Sequence, residues 1–230
     1  MKAWTLIVSI ALTAAGTAAA DMYSDSFTTT SGAAVPDGGF PLSGLTSTLV
    51  VSGMAPTTVN VDVELNISGG YNGDLFAYLV GPHGGFAVLL NRVGRTSAGD
   101  ISTYSDAGFD VTLSDSAANG DIHLYQVVFD PAGGVLTGTW QPDARNFDPA
   151  TVTDEALRTD NLSSFEELDP NGTWSITLYD VVESGNPSTL ESWSLNITAI
   201  PEPSTVSLGV LAAIVAGLPA CRRRCTRARR

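Results

Sequence analysis

Carboxylates are the reactive groups that this sequence supplies in the greatest number. The chain has 24 Asp and Glu against 11 Lys and Arg, which gives a formal charge of −13. Between residues 21 and 200 there are 23 acids and only four arginines, a net charge of −19. Such a surface repels phosphate backbones and argues against nucleic-acid binding. Carboxylates and loop carbonyls are the ligands that Ca²⁺ takes, so this composition favours a calcium site.

Acid–base catalysis has few candidate residues. The histidines are His83, in a Pro-Gly turn, and His123, which we expect at an exposed, polar position of a strand. A Ser-His-Asp mechanism needs a histidine within reach of a serine and oriented by a carboxylate. The sequence has no Gly-x-Ser-x-Gly elbow, His-Glu-x-x-His helix or Gly-rich phosphate loop, and nothing selects one carboxylate pair for glycoside hydrolysis. We predict that the chain is not an enzyme.

The elements that position these groups are β-strands. Between residues 58 and 68 apolar and polar residues alternate, which places the apolar set on one buried face. The alternation recurs around Trp174 and Trp193. Many short strands without intervening helices predict an all-β fold, an antiparallel β-sandwich with one core. Further candidate strands are Thr48–Val51, Leu75–Val80, Phe86–Leu90 and Ile122–Phe129, while 21–33 is expected to be a loose lead-in and 154–160 a short helix.

The N-terminus has the pattern of a secretory signal. Lys2 precedes an apolar run over residues 4–12, and small residues follow at Ala18, Ala19 and Ala20. This pattern predicts a signal peptide over 1–20 that signal peptidase removes.

The C-terminus has the pattern of a membrane anchor. Residues 203–221 carry no charge and span ~28 Å as a helix, close to a bilayer core of ~30 Å. We predict a transmembrane helix over about 204–220 and a cytoplasmic, arginine-rich tail over 221–230, because arginines stay inside. The acidic middle then faces outward. Both cysteines lie in the tail, so the exported part has no disulfide.

Pro201, Glu202 and Pro203, followed by the apolar run and the arginines, resemble the PEP-CTERM sorting signal of Gram-negative bacteria. The resemblance covers residues 200–230. It implies an exosortase as partner, transient membrane anchoring, and release or attachment at the cell surface or in an extracellular matrix.

A series of short motifs in the middle of the chain resembles a second family. It includes Tyr71-Asn72-Gly73-Asp74-Leu75, Tyr78-Leu79-Val80-Gly81-Pro82, Asn171-Gly172-Thr173-Trp174 and Ser192-Trp193-Ser194-Leu195. In order and spacing these motifs resemble the P domain, also called P/Homo B, of kexin- and furin-like subtilases. The resemblance covers residues 34–199 and implies a jelly-roll-like, galactose-binding-like sandwich.

The P-domain resemblance also implies which acids bind metal, because some bacterial P domains carry calcium. The residues at the matching motif positions are Asp74, Asp110, Asp115 and Asp180. The sequence lacks an Asp-x-Asp-x-Asp-Gly loop, so a solvated acidic surface stays the alternative.

We expect a non-catalytic module with a structural or adhesive role at the cell surface or in a biofilm matrix, with exopolysaccharide or a surface protein as partner. Two alternatives stay open. A carbohydrate-binding module would use exposed aromatic residues as sugar platforms, with Tyr71, Tyr104, Tyr125 and Trp140 as candidates. An accessory domain would stabilise a separate subtilisin-like protease in trans.

Overall fold

Nine β-strands in two sheets make up the part of the domain that the structure describes. The computed structural model describes residues 22–38, 43–98 and 103–202. Short 3₁₀ turns lie at Asn72–Asp74, Ile122–Val127 and Leu162–Phe165. The strands are β1 (Tyr23–Ala34), β2 (Leu45–Val51), β3 (Thr57–Gly69), β4 (Leu75–Gly81), β5 (Gly84–Asn91), β6 (Gly108–Leu113), β7 (Leu136–Trp140), β8 (Gly172–Asp180) and β9 (Ser188–Ile200).

One sheet has five strands in the order β1-β9-β3-β6-β7, and the other has four in the order β2-β8-β4-β5. The all-β prediction is confirmed. The prediction of purely antiparallel pairing is wrong at one place, because β7 runs parallel to β6. A parallel pair needs a long crossover connection, and residues 114–135 supply it. The jelly-roll-like and galactose-binding-like assignments rest on the resemblance and stay predictions.

The core lies between the two sheets, where the alternating residues of β3 meet the tryptophans of β8 and β9. Val61, Val63, Leu65 and Ile67 are buried, as the period of two predicts. Val59 breaks the pattern and lies outward, because a β-bulge between Thr58 and Asn60 shifts its pairing with β9. Trp174 and Trp193 are fully buried, as we expected for core residues.

Three local predictions are wrong. The expected lead-in is strand β1, which pairs with β9 from Tyr23 opposite Ala199 to Ala34 opposite Thr189; its many threonines suit an extended backbone. Residues 154–160 form turns and no helix. Residues 122–127 are a 3₁₀ turn and not a strand, because the Asp121 side chain accepts a hydrogen bond from the backbone of His123 and starts the turn there.

Both predicted address segments lie outside the described residues. Pro201 and Glu202 follow β9 directly, whereas the signal peptide, Pro203, the transmembrane segment and the arginine tail are not described. Within the described ranges, no helix is long and apolar enough to cross a membrane.

We predict that Gly108→Ala destabilises the domain more than Gly53→Ala does. Both glycines have positive φ, but a Cβ at Gly108 would strike the carbonyl oxygen of Ile67, whereas nothing lies near Gly53. Gly53→Ala should cost about 1–2 kcal/mol for the backbone strain alone. Gly108→Ala should cost at least about 2 kcal/mol more, as measured by urea unfolding. Equal losses in the two variants would contradict this account of the β3–β6 contact.

Candidate functional site

Two of the four predicted calcium residues meet at one end of the sandwich. Asp74 ends the 3₁₀ turn before β4 and Asp180 ends β8, and the pairing of these strands places Leu75 opposite Asp180. Both carboxylates are buried. The Oδ1 atom of Asp180 accepts a hydrogen bond from the Val182 backbone at 3.3 Å, while its Oδ2 atom is buried with no hydrogen-bond partner among the described residues. An orphaned buried carboxylate oxygen needs a proton or a cation.

The charges around this pair include a third acid and one arginine. Asp37 accepts hydrogen bonds from the backbone of Ser184 and Gly185, in the loop after Asp180, at 3.1 and 2.7 Å. Arg92 donates from Nε to the carbonyl of Gly73 at 2.6 Å. The sequence motifs did not single out Asp37 or Arg92 as part of a site. The one available signal was the scarcity of arginine in the acidic region, which makes each arginine a candidate counter-charge.

Burial raises the pKa of Asp180 to about 7, and the negative charges of Asp74 and Asp37 add to the shift, whereas the Val182 amide and Arg92 oppose it. Burial also raises the pKa of Asp74. The positive charge of Arg92 lowers this pKa, and the negative charge of Asp37 raises it. Near neutral pH, the site therefore holds more negative charge than its surroundings stabilise, and Asp180 takes up a proton easily.

The remaining predicted residues lie elsewhere. Asp110 is exposed on β6, between Asn66 of β3 and Thr137 of β7. Asp115 caps the 3₁₀ turn at Leu162–Phe165, accepting hydrogen bonds from the backbone of Leu162 and Ser163 at 3.2 and 2.7 Å. In the part of the chain that the structure describes, no three His, Cys, Asp or Glu side chains are placed to hold a metal. A cation at Asp74 and Asp180 would therefore need backbone carbonyls or water to complete its coordination.

His123 is fully buried, which corrects the expectation of an exposed strand position. Its Nδ1 lies 2.7 Å from Oδ2 of Asp143, and its Nε2 lies 2.8 Å from the carbonyl oxygen of Arg95. Both partners are acceptors, so the imidazole donates from both nitrogens and is positively charged. Burial lowers the pKa of His123, but the hydrogen bond and charge of Asp143, with the Arg95 carbonyl, raise the pKa above 6.5. A histidine held in this way supports the fold and is not free to act as a base.

Asp143 also pairs with Arg145, which reaches Asp121 at 2.7 Å. Arg158 donates to the carbonyls of Asp143 and Pro142 at 3.2 and 2.7 Å. With Arg95, which donates to the carbonyls of Pro149 and Ala150, three of the four described arginines thus hold loops in place through backbone carbonyls.

The aromatic residues predicted as sugar platforms are mostly internal. Trp140 and Tyr125 are fully buried and contact each other edge to face, with ring centroids 6.2 Å apart. Tyr104 is half-buried and packs on Tyr125 at 4.6 Å. The Tyr125 hydroxyl donates to Asp106 at 2.6 Å. Tyr71 alone of the four is exposed, so these residues do not form a platform.

Comparison with known proteins gives partial similarity. No family model matches the chain. Leupeptin-inactivating enzyme 1 of Streptomyces exfoliatus is 39% identical over 98 residues, a match covering 41% of this chain and 20% of that protein. The chain thus spans about a fifth of the length of this curated relative.

Two solved structures match part of the chain. They are the serine protease of Aeromonas sobria, at 17% identity, and the complex of that protease with the chaperone ORF2, at 16%. Each match has a TM-score of 0.40 and covers 78% of this chain and 27% of the other. The P-domain and PEP-CTERM resemblances therefore stay predictions.

We predict that stability falls as the pH rises from about 6.5 towards 9, and that His123→Gln removes this loss. The native state binds the His123 proton more tightly than the unfolded chain does, and this tighter binding stabilises the native state. The stabilisation is complete below pH 6.5 and is lost as the pH rises through the pKa of His123 in the native state. Losing one charged hydrogen bond should cost about 1.5–3 kcal/mol. Urea unfolding across this range measures it, with His83→Gln at the exposed turn as the control. Asp180, whose pKa is also raised, adds a loss of its own up to about pH 7, so the slopes are compared in an Asp180→Asn background. A slope that persists after His123→Gln in this background would refute the assignment.

Proposed function

We propose that the protein is a non-catalytic, exported β-sandwich module that acts by binding, with a structural or adhesive role at the cell surface or in a polysaccharide matrix. The observation that carries the proposal is the state of the histidines. His123 is buried between Asp143 and the Arg95 carbonyl, and His83 lies in the turn between β4 and β5. Among the described residues His123 has a carboxylate partner, but its second nitrogen faces the Arg95 carbonyl and neither histidine contacts the serine that a nucleophilic triad needs.

Export and sorting belong to the same proposal. Residues 1–20 would direct secretion, and an exosortase would act near Pro201, Glu202 and Pro203. The domain ends at Ile200 in strand β9, so the proposed motif begins where the fold stops. A sorting enzyme needs an accessible peptide, and the position immediately after a completed strand supplies one.

We predict that replacing Pro201, Glu202 and Pro203 together by alanine leaves the protein in the membrane fraction of its native cells. The wild-type chain should instead be found at the surface or released, as measured by fractionation and antibody labelling of intact cells. Asp110→Asn, outside the motif, serves as the control. Identical distributions of the triple variant and the wild type would refute exosortase sorting.

The non-catalytic role has a separate test. Hydrolysis of a peptide or a glycan by the purified chain would refute it.

A second candidate is an accessory domain that stabilises a separate protease. The observation that favours it is the 39% identity with a segment of leupeptin-inactivating enzyme 1, because that segment is a small part of a longer enzyme. In the fractionation experiment, a subtilase that co-purifies with the chain and loses heat stability without it would favour this candidate. A surface fraction that contains the chain and no protease would count against it.

Calcium binding at Asp74 and Asp180 is the third part of the proposal. The orphaned Oδ2 of Asp180 and the accumulated negative charge fit a divalent cation, which would supply the missing positive charge. Without the cation, ionisation of Asp180 is unfavourable in the folded state. With it, the carboxylate is stabilised in its ionised form.

We predict that calcium raises the unfolding midpoint at pH 7.5 relative to excess chelator, and that Asp180→Asn abolishes the rise. In the presence of chelator, the raised pKa of Asp180 stabilises the native state relative to the unfolded chain. This stabilisation is complete below pH 3.8 and is lost as the pH rises through about 7. The loss amounts to as much as about 4 kcal/mol, and Asp180→Asn should remove it. Thermal unfolding with and without calcium measures both effects, with Asp110→Asn as the charge-matched control. A calcium effect that survives Asp180→Asn would place the ion elsewhere.

A further inference from the structure

The four-stranded sheet presents an uncharged outer face. Strands β2, β4, β5 and β8 together contain one charged residue, Asp180, and its side chain is buried. The outer face of the five-stranded sheet differs, since Asp62 and Glu64 of β3 and Asp110 of β6 lie on it. In a region of net charge −19, the four strands of this sheet thus contribute no ionised side chain to its outer face.

Four aromatic rings form a continuous stripe on this uncharged face. Tyr78 lies at its centre, with ring centroids 5.8 Å from Phe76, 5.3 Å from Phe86 and 6.4 Å from Tyr179. Phe76 and Tyr179 stack at 6.3 Å with an interplanar angle of 26°. All four side chains are half-buried, so each ring packs on its neighbours and keeps part of its surface open to solvent. A stripe of this kind on a soluble domain marks an interaction surface.

Hydroxyl groups border the aromatic stripe. Thr46 and Thr48 of β2 are exposed on the same face, and the Thr46 Oγ1 lies 3.1 Å from Oγ1 of Thr177, which pairs with Tyr78 across β8 and β4. Each hydroxyl can both donate and accept a hydrogen bond. The face therefore combines aromatic rings with neutral hydrogen-bonding groups and has no charged group that binding would desolvate.

We propose that the stripe of Phe76, Tyr78, Phe86 and Tyr179, with Thr46 and Thr48, binds a neutral polysaccharide chain. Sugar rings have an apolar C–H face that packs on aromatic rings and hydroxyls at the ring edge that suit the threonines. The charge of the domain selects against anionic glycans, because carboxylates on both partners repel. Protein interfaces are enriched in arginine and methionine as well as aromatics, and this face has neither. The assignment rests on the proposed binding role and names its ligand class.

The test is binding of the purified full chain to neutral β-glucan and xylan, measured by affinity electrophoresis and calorimetry. Tyr78→Ala should weaken binding at least about tenfold, and Tyr71→Ala, an exposed aromatic residue outside the stripe, should leave it unchanged. Thr48→Glu tests the face without removing an aromatic ring. Its matched control is Thr28→Glu, an exposed threonine on edge strand β1 of the other sheet. The unfolding midpoint of each variant shows that the domain stays folded.

Loss of glycan binding in both Tyr78→Ala and Thr48→Glu, with both controls retained, is the expected result. Wild-type protein that binds no neutral glycan would overturn the proposal, as would stronger binding to alginate, an anionic polymer. Self-association or a protein partner that is lost in the same two variants, without glycan binding, would also overturn it. In each case, surface sorting is tested separately by cell fractionation and the non-catalytic role by assays for hydrolysis, and both can stand.

Discussion

The hydrogen bonds of the buried Asp143 carboxylate hold the long connections of this domain against its four-stranded sheet. Its Oδ2 atom accepts hydrogen bonds from the backbone N–H of Asn91, at the end of β5, and from His123. Its Oδ1 atom accepts a hydrogen bond from Arg145. In a domain without disulfides, a satisfied ionic hub of this kind fixes loops that have few apolar contacts of their own. Removing His123 or Arg145 would leave the other partners in place and cost about 1.5–3 kcal/mol for the charged hydrogen bond that is lost.

This hub is connected to the candidate metal site through a single 3₁₀ turn. His123 and Tyr125 lie on that turn, and the Tyr125 hydroxyl meets both Asp106 and the Asn72 side chain. Asn72 begins the 3₁₀ turn that ends at Asp74. A chain of buried polar contacts that begins at Asp143 thus reaches the turn that holds Asp74, in addition to the pairing of β4 with β8.

Local patterns predicted the strands with one buried face, and they failed where burial depends on distant partners. The alternation in β3 and the two core tryptophans needed only periodicity. His123 lies between the apolar residues Ile122 and Leu124, so an alternating pattern places it at the surface. The sequence does not show that Asp143 and the Arg95 carbonyl enclose it. The run from Leu75 to Val80 is apolar throughout, so the sequence indicates a strand without showing which side chains face the core. Only the sheet order shows that Phe76 and Tyr78 lie on an open face.

The two ends of the described sandwich leave it side by side, since Tyr23 pairs with Ala199. Strand β9 lies between β1 and β3 and is antiparallel to both. Its hydrogen bonds run across the strand axis, so tension along the chain beyond Ile200 would pull β9 in shear, with both ladders resisting together. Such a domain, anchored at its C-terminus and bound to a matrix through the opposite sheet, would resist mechanical extraction. It would do so far better than a domain whose terminal strand could separate one hydrogen bond at a time.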